Sequence, residues 1–176
     1  EWATVHPIHN LNLWGRRRAF ASSPHPLKIF SPLNFYELAV TAPGVFPEML
    51  TFSLRAFLKL KELMRTRTFH LIHDVQSLGY GLLLMKQLGP PLVSTVHHPL
   101  SIDKQISLAA KRSFTEKFYG ITFYPPIMQS IVARRLDAIL TASRSGIEAI
   151  IRELKVAPDK IITVGNGIDL GLFRPM

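Results

Sequence analysis

The feature that most narrows the folds open to this chain is a rhythm running from Phe69 to Val164. Four short apolar-rich runs recur along it: Phe69-His70-Leu71-Ile72-His73-Asp74, Leu92 to Val96, Ala138 to Ala142 and Ile161 to Val164. Between them lie segments with helical spacing of apolar residues. Leu78 to Leu88 is one, stopped by Gly89-Pro90-Pro91. Ile102 to Phe118 is the next, followed by Ile127 to Leu136 after Pro125-Pro126. Arg144 to Leu154 is the last, ended by Lys155 to Asp159. Strands alternating with helices predict an α/β fold with a parallel sheet. The first two strands start 23 residues apart, a length that suits one crossover. The third comes after twice that gap, which holds a pair of helices.

Upstream the pattern differs. Residues 1 to 48 contain Pro7, Pro24, Pro26, Pro32, Pro43 and Pro47, a density that favours turns and extended chain. This part is expected to be irregular, with one short strand over Ala3 to Ile8. From Met49 to Arg65 the spacing of Leu50, Leu54, Phe57, Leu58 and Met64 predicts a helix. The organisation expected is an irregular Pro-rich N-terminal part, 1–48, and an α/β domain over 49–176.

Composition closes several classes. At 176 residues and 47% hydrophobic content the chain can bury one sizeable core. It has no cysteine, so disulfides and thiolate metal sites are excluded. No apolar run approaches the roughly 18 residues of a membrane span. The first residue is Glu1, not Met, and the chain reads as a piece of something longer. The net charge of +9 suggests an anionic partner, whether nucleic acid, acidic lipid or phosphorylated substrate. The charge gathers in Arg16-Arg17-Arg18 and in Lys104, Lys111, Arg112, Lys117, Arg134 and Arg135. No recognition-helix or zinc-finger pattern goes with these residues, so nucleic acid is not an expected partner.

In an open parallel sheet, ligands bind outside the carboxyl ends of the strands. Polar residues stand after all four ends here: His73, Asp74 and Gln76; His97 and His98; Ser143 and Arg144; Asn166 and Gly167, with Asp169 close behind. Each has a plainer reading. His73 can bond a core carbonyl, His98-Pro99 can be extended chain, Ser143 can be an N-cap, and Asn166-Gly167 is a common turn pair. The set together makes a case for a polar ligand cleft. A metal held by His70, His73, Asp74, His97 and His98 is disfavoured, because neighbours on a strand point to opposite faces. No metal cofactor is expected. Neither a Gly-x-Ser-x-Gly elbow nor a complete Gly-x-Gly-x-x-Gly is present; Gly79-Tyr80-Gly81 lacks the third glycine.

"FHLIHDVQSLGYGLLLMKQLGPPLVSTVHHPL" and "LDAILTASRSGIEAIIRELKVAPDKIITVGNGIDLGLFRP" together resemble the N-terminal domain of glycosyltransferase family 4 enzymes. The most specific part is the last. Val164, Asn166, Gly167, Ile168, Asp169, Phe173 and Pro175 match V-x-N-G-[V/I]-D-x-x-x-F-x-P, and Gly165 stands where the family usually has Pro. Thr95-Val96-His97 matches the family's strand-end histidine.

The resemblance implies one half of a GT-B architecture, a Rossmann-like parallel sheet flanked by helices that ends at the interdomain linker. It implies a retaining transferase that takes a sugar from a nucleotide-sugar donor without a metal. The donor would be held mainly by a C-terminal domain absent from this sequence, and the family's first strand and glycine-rich loop would be missing too. On that reading the fragment alone is inactive. His97 would be the catalytic residue facing the sugar. Asp74, Gln76 and His98 would line the acceptor side, joined at the same edge by Ser143, Arg144, Asn166 and Gly167.

The acceptor would be a sugar or a lipid-linked or cell-envelope group, and the protein would be cytoplasmic, peripheral at the inner face of the membrane. In the helix from Ile102 to Phe118, Ile102, Ile106, Ala110, Phe114 and Phe118 recur every four residues, with Lys104, Lys111 and Arg112 off that stripe. Such a stripe either packs on the sheet or meets anionic lipid. The alternative function is a non-catalytic α/β module that binds an anionic or sugar ligand.

Overall fold

A computed structural model of the chain describes residues 3–11, 31–41, 46–110, 126–167 and 171. Arg16 to Arg18, Lys111, Arg112, Phe114, Lys117, Phe118, Ile168, Asp169, Phe173 and Pro175, all named in the sequence patterns, lie outside them.

The four strands form one parallel sheet in the order of the sequence: β1 (Ile72–Val75), β2 (Leu92–Thr95), β3 (Ala138–Thr141) and β4 (Ile161–Thr163). The α/β, Rossmann-like expectation is borne out, with helices packed against the sheet. The later strands fall within one residue of the predicted ends. β1 starts three residues late, at Ile72 rather than Phe69. Its partner fixes that start: Ile72 pairs with Leu92, and Pro91 just before has no N–H to offer a longer ladder.

The helices are α1 (Pro32–Thr41), α2 (Glu48–Leu63), α3 (Gly81–Met85, continued by a 3-10 turn over Lys86–Leu88), α4 (Leu100–Ala110), α5 (Pro126–Ala133) and α6 (Arg144–Ala149, continued by a π-helical turn over Ile150–Leu154). Successive parallel strands stepping one way across a sheet, joined by right-handed crossovers, put the connecting helices on one face. The core lies there accordingly. Leu82 and Met85 of α3, Met128 and Val132 of α5, and Ile150 and Leu154 after α6 close over Leu92, Val96 and Ile139. Met49, Leu50, Phe57 and Leu60 of α2 pack against the same cluster. The alternate strand positions look the other way, and Val75 and Ile162 are at least half exposed.

Two expectations fail upstream. Ala3 to Ile8 forms no strand: Val5 is exposed, Pro7 lacks a donor, and no described strand lies beside them. Residues 32–41 form a helix where irregular chain was expected. Pro32 occupies the first helical position, where a missing N–H costs nothing. Tertiary contacts then hold α1. Glu37 is buried and accepts from Arg55 of α2, whose second nitrogen donates to Asn34 Oδ1 at 2.6 Å. The Leu11 N–H also reaches Glu37 Oε2, at 3.3 Å.

The carboxyl end of α5 is neutralised by two lysines, as its dipole favours. Lys86 Nζ donates to Arg135 O at 2.7 Å, and Lys160 Nζ to Arg134 O at 3.1 Å and Leu136 O at 3.0 Å. Asp137 joins this end of the helix to the sheet. It accepts from Lys86 Nζ at 2.6 Å and from the Leu92 N–H, the first of β2, at 2.8 Å. The Lys86 bond, then the Leu92 N–H, holds the Asp137 carboxyl below its ordinary range. A depressed carboxyl stabilises the fold above its unfolded pKa and loses that effect as pH falls through the folded one. Asp137→Asn should therefore lower the urea midpoint at pH 7, with the gap to wild type closing below about pH 4. A gap that is constant with pH would show that the charge of Asp137 does not contribute.

Candidate functional site at the carboxyl edge of the sheet

Register makes the four strand ends level. Val75 pairs with Thr95, Thr95 with Leu140, and Thr141 with Thr163. The polar residues beyond those ends therefore emerge along one edge.

At the first end, strand alternation sends His73 and Asp74 to opposite faces. His73 is exposed, and its Nε2 lies 2.8 Å from Thr95 Oγ1. Asp74 turns toward the core face and is buried. Its carboxylate accepts from Ser94 Oγ at 2.7 Å, from the Ser77 N–H at 3.1 Å, from the Leu78 N–H at 3.3 Å and from the Ser77 hydroxyl. Asp74 thus organises the loop after β1, and its oxygens are already taken up by these internal donors. Gln76 is half-buried, and its side-chain carbonyl accepts the His97 N–H at 2.8 Å.

At the second end, the turn after β2 divides its side chains. Pro99 and Leu100 are buried, whereas His97 and His98 are exposed. His98 Nε2 lies 2.8 Å from Asp103 Oδ2 in the first turn of α4. The buried Gln129 of α5 accepts the Leu100 N–H at 3.3 Å and fixes the start of that helix. The His97 imidazole is left facing out at the edge.

At the third end, Ser143 is the N-cap of α6: its Oγ accepts the Gly146 N–H at 3.1 Å and lies 3.0 Å from Ser145 Oγ. Arg144 is exposed beside it. At the fourth end, the Val164 N–H still reaches Thr141 O at 2.8 Å, and Asn166 and Gly167 are exposed.

A groove of about 400 Å³ lies between α2 and β1, walled by Phe52, Ala56, Leu60, Ile72 and Leu82, with Asp74 and Ser77 also in its lining. Among the described residues, no three histidines, aspartates or glutamates converge as metal ligands would.

The sequence of the chain matches the family model described as Glycosyltransferase Family 4 over residues 9–172. The chain belongs to glycosyltransferase family 4. It is also 37% identical over 156 residues, 86% of its length, to "MMP alpha-(1->4)-mannosyltransferase" of Mycolicibacterium hassiacum. It spans 36% of that relative's length.

Within this family 4 domain the candidate residues sort into two kinds. His97, Arg144, Asn166 and Gly167 face out from the sheet edge. Asp74, Gln76, His98 and Ser143 spend polar atoms on the protein itself. Sequence reasoning missed the supporting partners Ser77, Ser94, Asp103 and Gln129. Asp103 had a signal, since a carboxylate in the first turn of a helix that begins just after His98 is within reach of it.

Proposed function

We propose that the chain is the acceptor-side part of a retaining glycosyltransferase that moves a sugar from a nucleotide-sugar to an acceptor, lipid-linked or of the cell envelope. The observation that carries this is His97, exposed at a sheet edge where four strand ends deliver polar groups, in a chain of family 4. Sugar transfer passes through a transition state with oxocarbenium character, and the nucleoside diphosphate leaves with negative charge. An imidazole at this edge can hydrogen-bond the transferred sugar, while Arg144, Asn166 and Gly167 stand exposed at the same edge. In this reading a second domain holds the donor's nucleotide, and no metal takes part. The mannosyl group is the first sugar to test, given the activity in the relative's name.

In the full-length protein, His97→Ala should lower kcat for transfer from a nucleotide-activated mannose at least tenfold while leaving the thermal midpoint unchanged. Transfer at the wild-type rate would remove His97 from the site. Sugar binding with no turnover by the full-length wild type would favour the non-catalytic module.

A peripheral place on anionic membrane is part of the same reading. Among the described residues no helix is long and apolar enough to cross a membrane. Ile106, on the apolar stripe of α4, is 64% exposed instead of packed on the sheet, which suits an interfacial helix. Sedimentation with phosphatidylglycerol vesicles but not with phosphatidylcholine vesicles would bear this out.

A further inference from the structure

Gln76 carries a feature that no substrate contact explains. Its N–H donates to Thr95 O at 2.9 Å, which extends the β1–β2 ladder by one residue. The chain then turns through left-handed backbone twice, with φ 56° at Gln76 and 43° at Leu78. Neither residue is glycine, and such conformations persist only where their surroundings impose them. Asp74 imposes them here, gathering the Ser77 and Leu78 N–H groups onto its carboxylate. The turn sends the Gln76 side chain across to the next strand end, where its carbonyl accepts the His97 N–H at 2.8 Å.

That peptide is where the chain leaves the sheet. Val96 is still in the ladder, its N–H 2.8 Å from Leu140 O. Beyond His98, the buried Pro99 and the Leu100 N–H held by Gln129 fix the backbone again. Between these anchors, among the described residues, the His97 peptide is held by the hydrogen bond to Gln76.

We propose that Gln76 is a positioning residue: by holding the His97 N–H it sets the direction from which the His97 imidazole meets the sugar. This rests on the role of His97 in sugar transfer proposed for the full-length protein. Only the amide oxygen can accept from an N–H, so the Gln76 NH2 group takes no part in the tether. Gln76→Glu keeps the acceptor and Gln76→Leu removes it. A direct substrate contact through the NH2 group would be lost in both.

The test uses the full-length protein with Gln76→Leu, Gln76→Glu and His97→Ala, read by amide hydrogen exchange over residues 96–100 and by kinetics with the nucleotide-activated mannose. Exchange at His97 should rise roughly tenfold in Gln76→Leu and return toward wild type in Gln76→Glu. The same pair should show kcat falling about 10- to 100-fold with little change in KM, then rescue. Unchanged exchange in Gln76→Leu, or a Gln76→Glu variant protected at His97 yet as slow as Gln76→Leu, overturns the proposal. If His97→Ala alone leaves kcat unchanged, the role given to His97 fails, and the exchange data still decide whether Gln76 holds that peptide.

Discussion

Gly81→Ala should lower the stability of this domain by about 3 kcal/mol, the upper part of the range for an overpacked core. For a domain of this size that is a fall in Tm of roughly 6–12 °C by scanning calorimetry. The reason is the approach of α3 to α2. A Cβ at Gly81 would overlap the carbonyl group of Ser53 and stand 2.6 Å from the Leu54 nitrogen. These are backbone atoms, so no rotamer change relieves the overlap and the helices must separate. Separation also breaks the bond from the Gly81 N–H to Ser53 Oγ, 3.1 Å long and buried. Ser53→Gly should not rescue the variant, because the obstructing atoms belong to the main chain. A Tm within about 2 °C of wild type would mean that the two helices are not held this close. A loss of that size would also explain Gly79-Tyr80-Gly81, which reads in the sequence as a Gly-x-Gly-x-x-Gly pattern lacking its third glycine. A Cβ at Gly79 would likewise overlap α2, there against Met49 O and the Ser53 side chain. The glycines serve helix packing.

Asp74→Ala should cost about 3–4 kcal/mol, read as the change in unfolding free energy from urea titration. It strands the Ser94 hydroxyl, which is fully buried, and the Leu78 and Ser77 N–H groups. Each orphaned buried group costs about 1–3 kcal/mol, and loop relaxation recovers part of the sum. Ser94→Ala removes only one donor and should cost about 1 kcal/mol. Equal losses in the two variants would show that Asp74 acts through Ser94 alone. The Asp74 variant should also free the left-handed turn at Gln76 and Leu78, so hydrogen exchange at His97 should rise in it as well. Ser94→Ala leaves that turn its Ser77 and Leu78 bonds and should not raise exchange there.

Much of the scaffold is legible in the amino-acid order because strand and helix periodicities are local. β2, β3 and β4 are bounded by Pro91, by Asp137 and Ser143, and by Asp159 and Gly165, so their extents can be read directly. β1 is misread at its start because Phe69 to Leu71 are as strand-like as Ile72 to Val75, and only the partner strand says where pairing begins. α1 is missed because its stability comes from Arg55 and Glu37 meeting across 18 residues, and its proline reads locally as a breaker. The candidate site is legible as a set of positions, since polar residues at strand ends stand out against apolar strands.

Periodicity and motif, then, are enough to establish a parallel α/β domain of family 4 with a polar edge, because each depends on neighbours in the chain. What each polar residue does at that edge is decided only in three dimensions. Alternation on β1 puts Asp74 inward and His73 outward, but the task of Asp74 depends on Ser94 lying opposite it, 20 residues away. The Gln76 carbonyl meets the His97 N–H across 21 residues, and His98 is drawn aside by Asp103. Hydrogen bonds between distant segments have no period in the sequence. They divide residues of one polar type into those that hold the edge in shape and those, such as His97, whose side chains are left exposed.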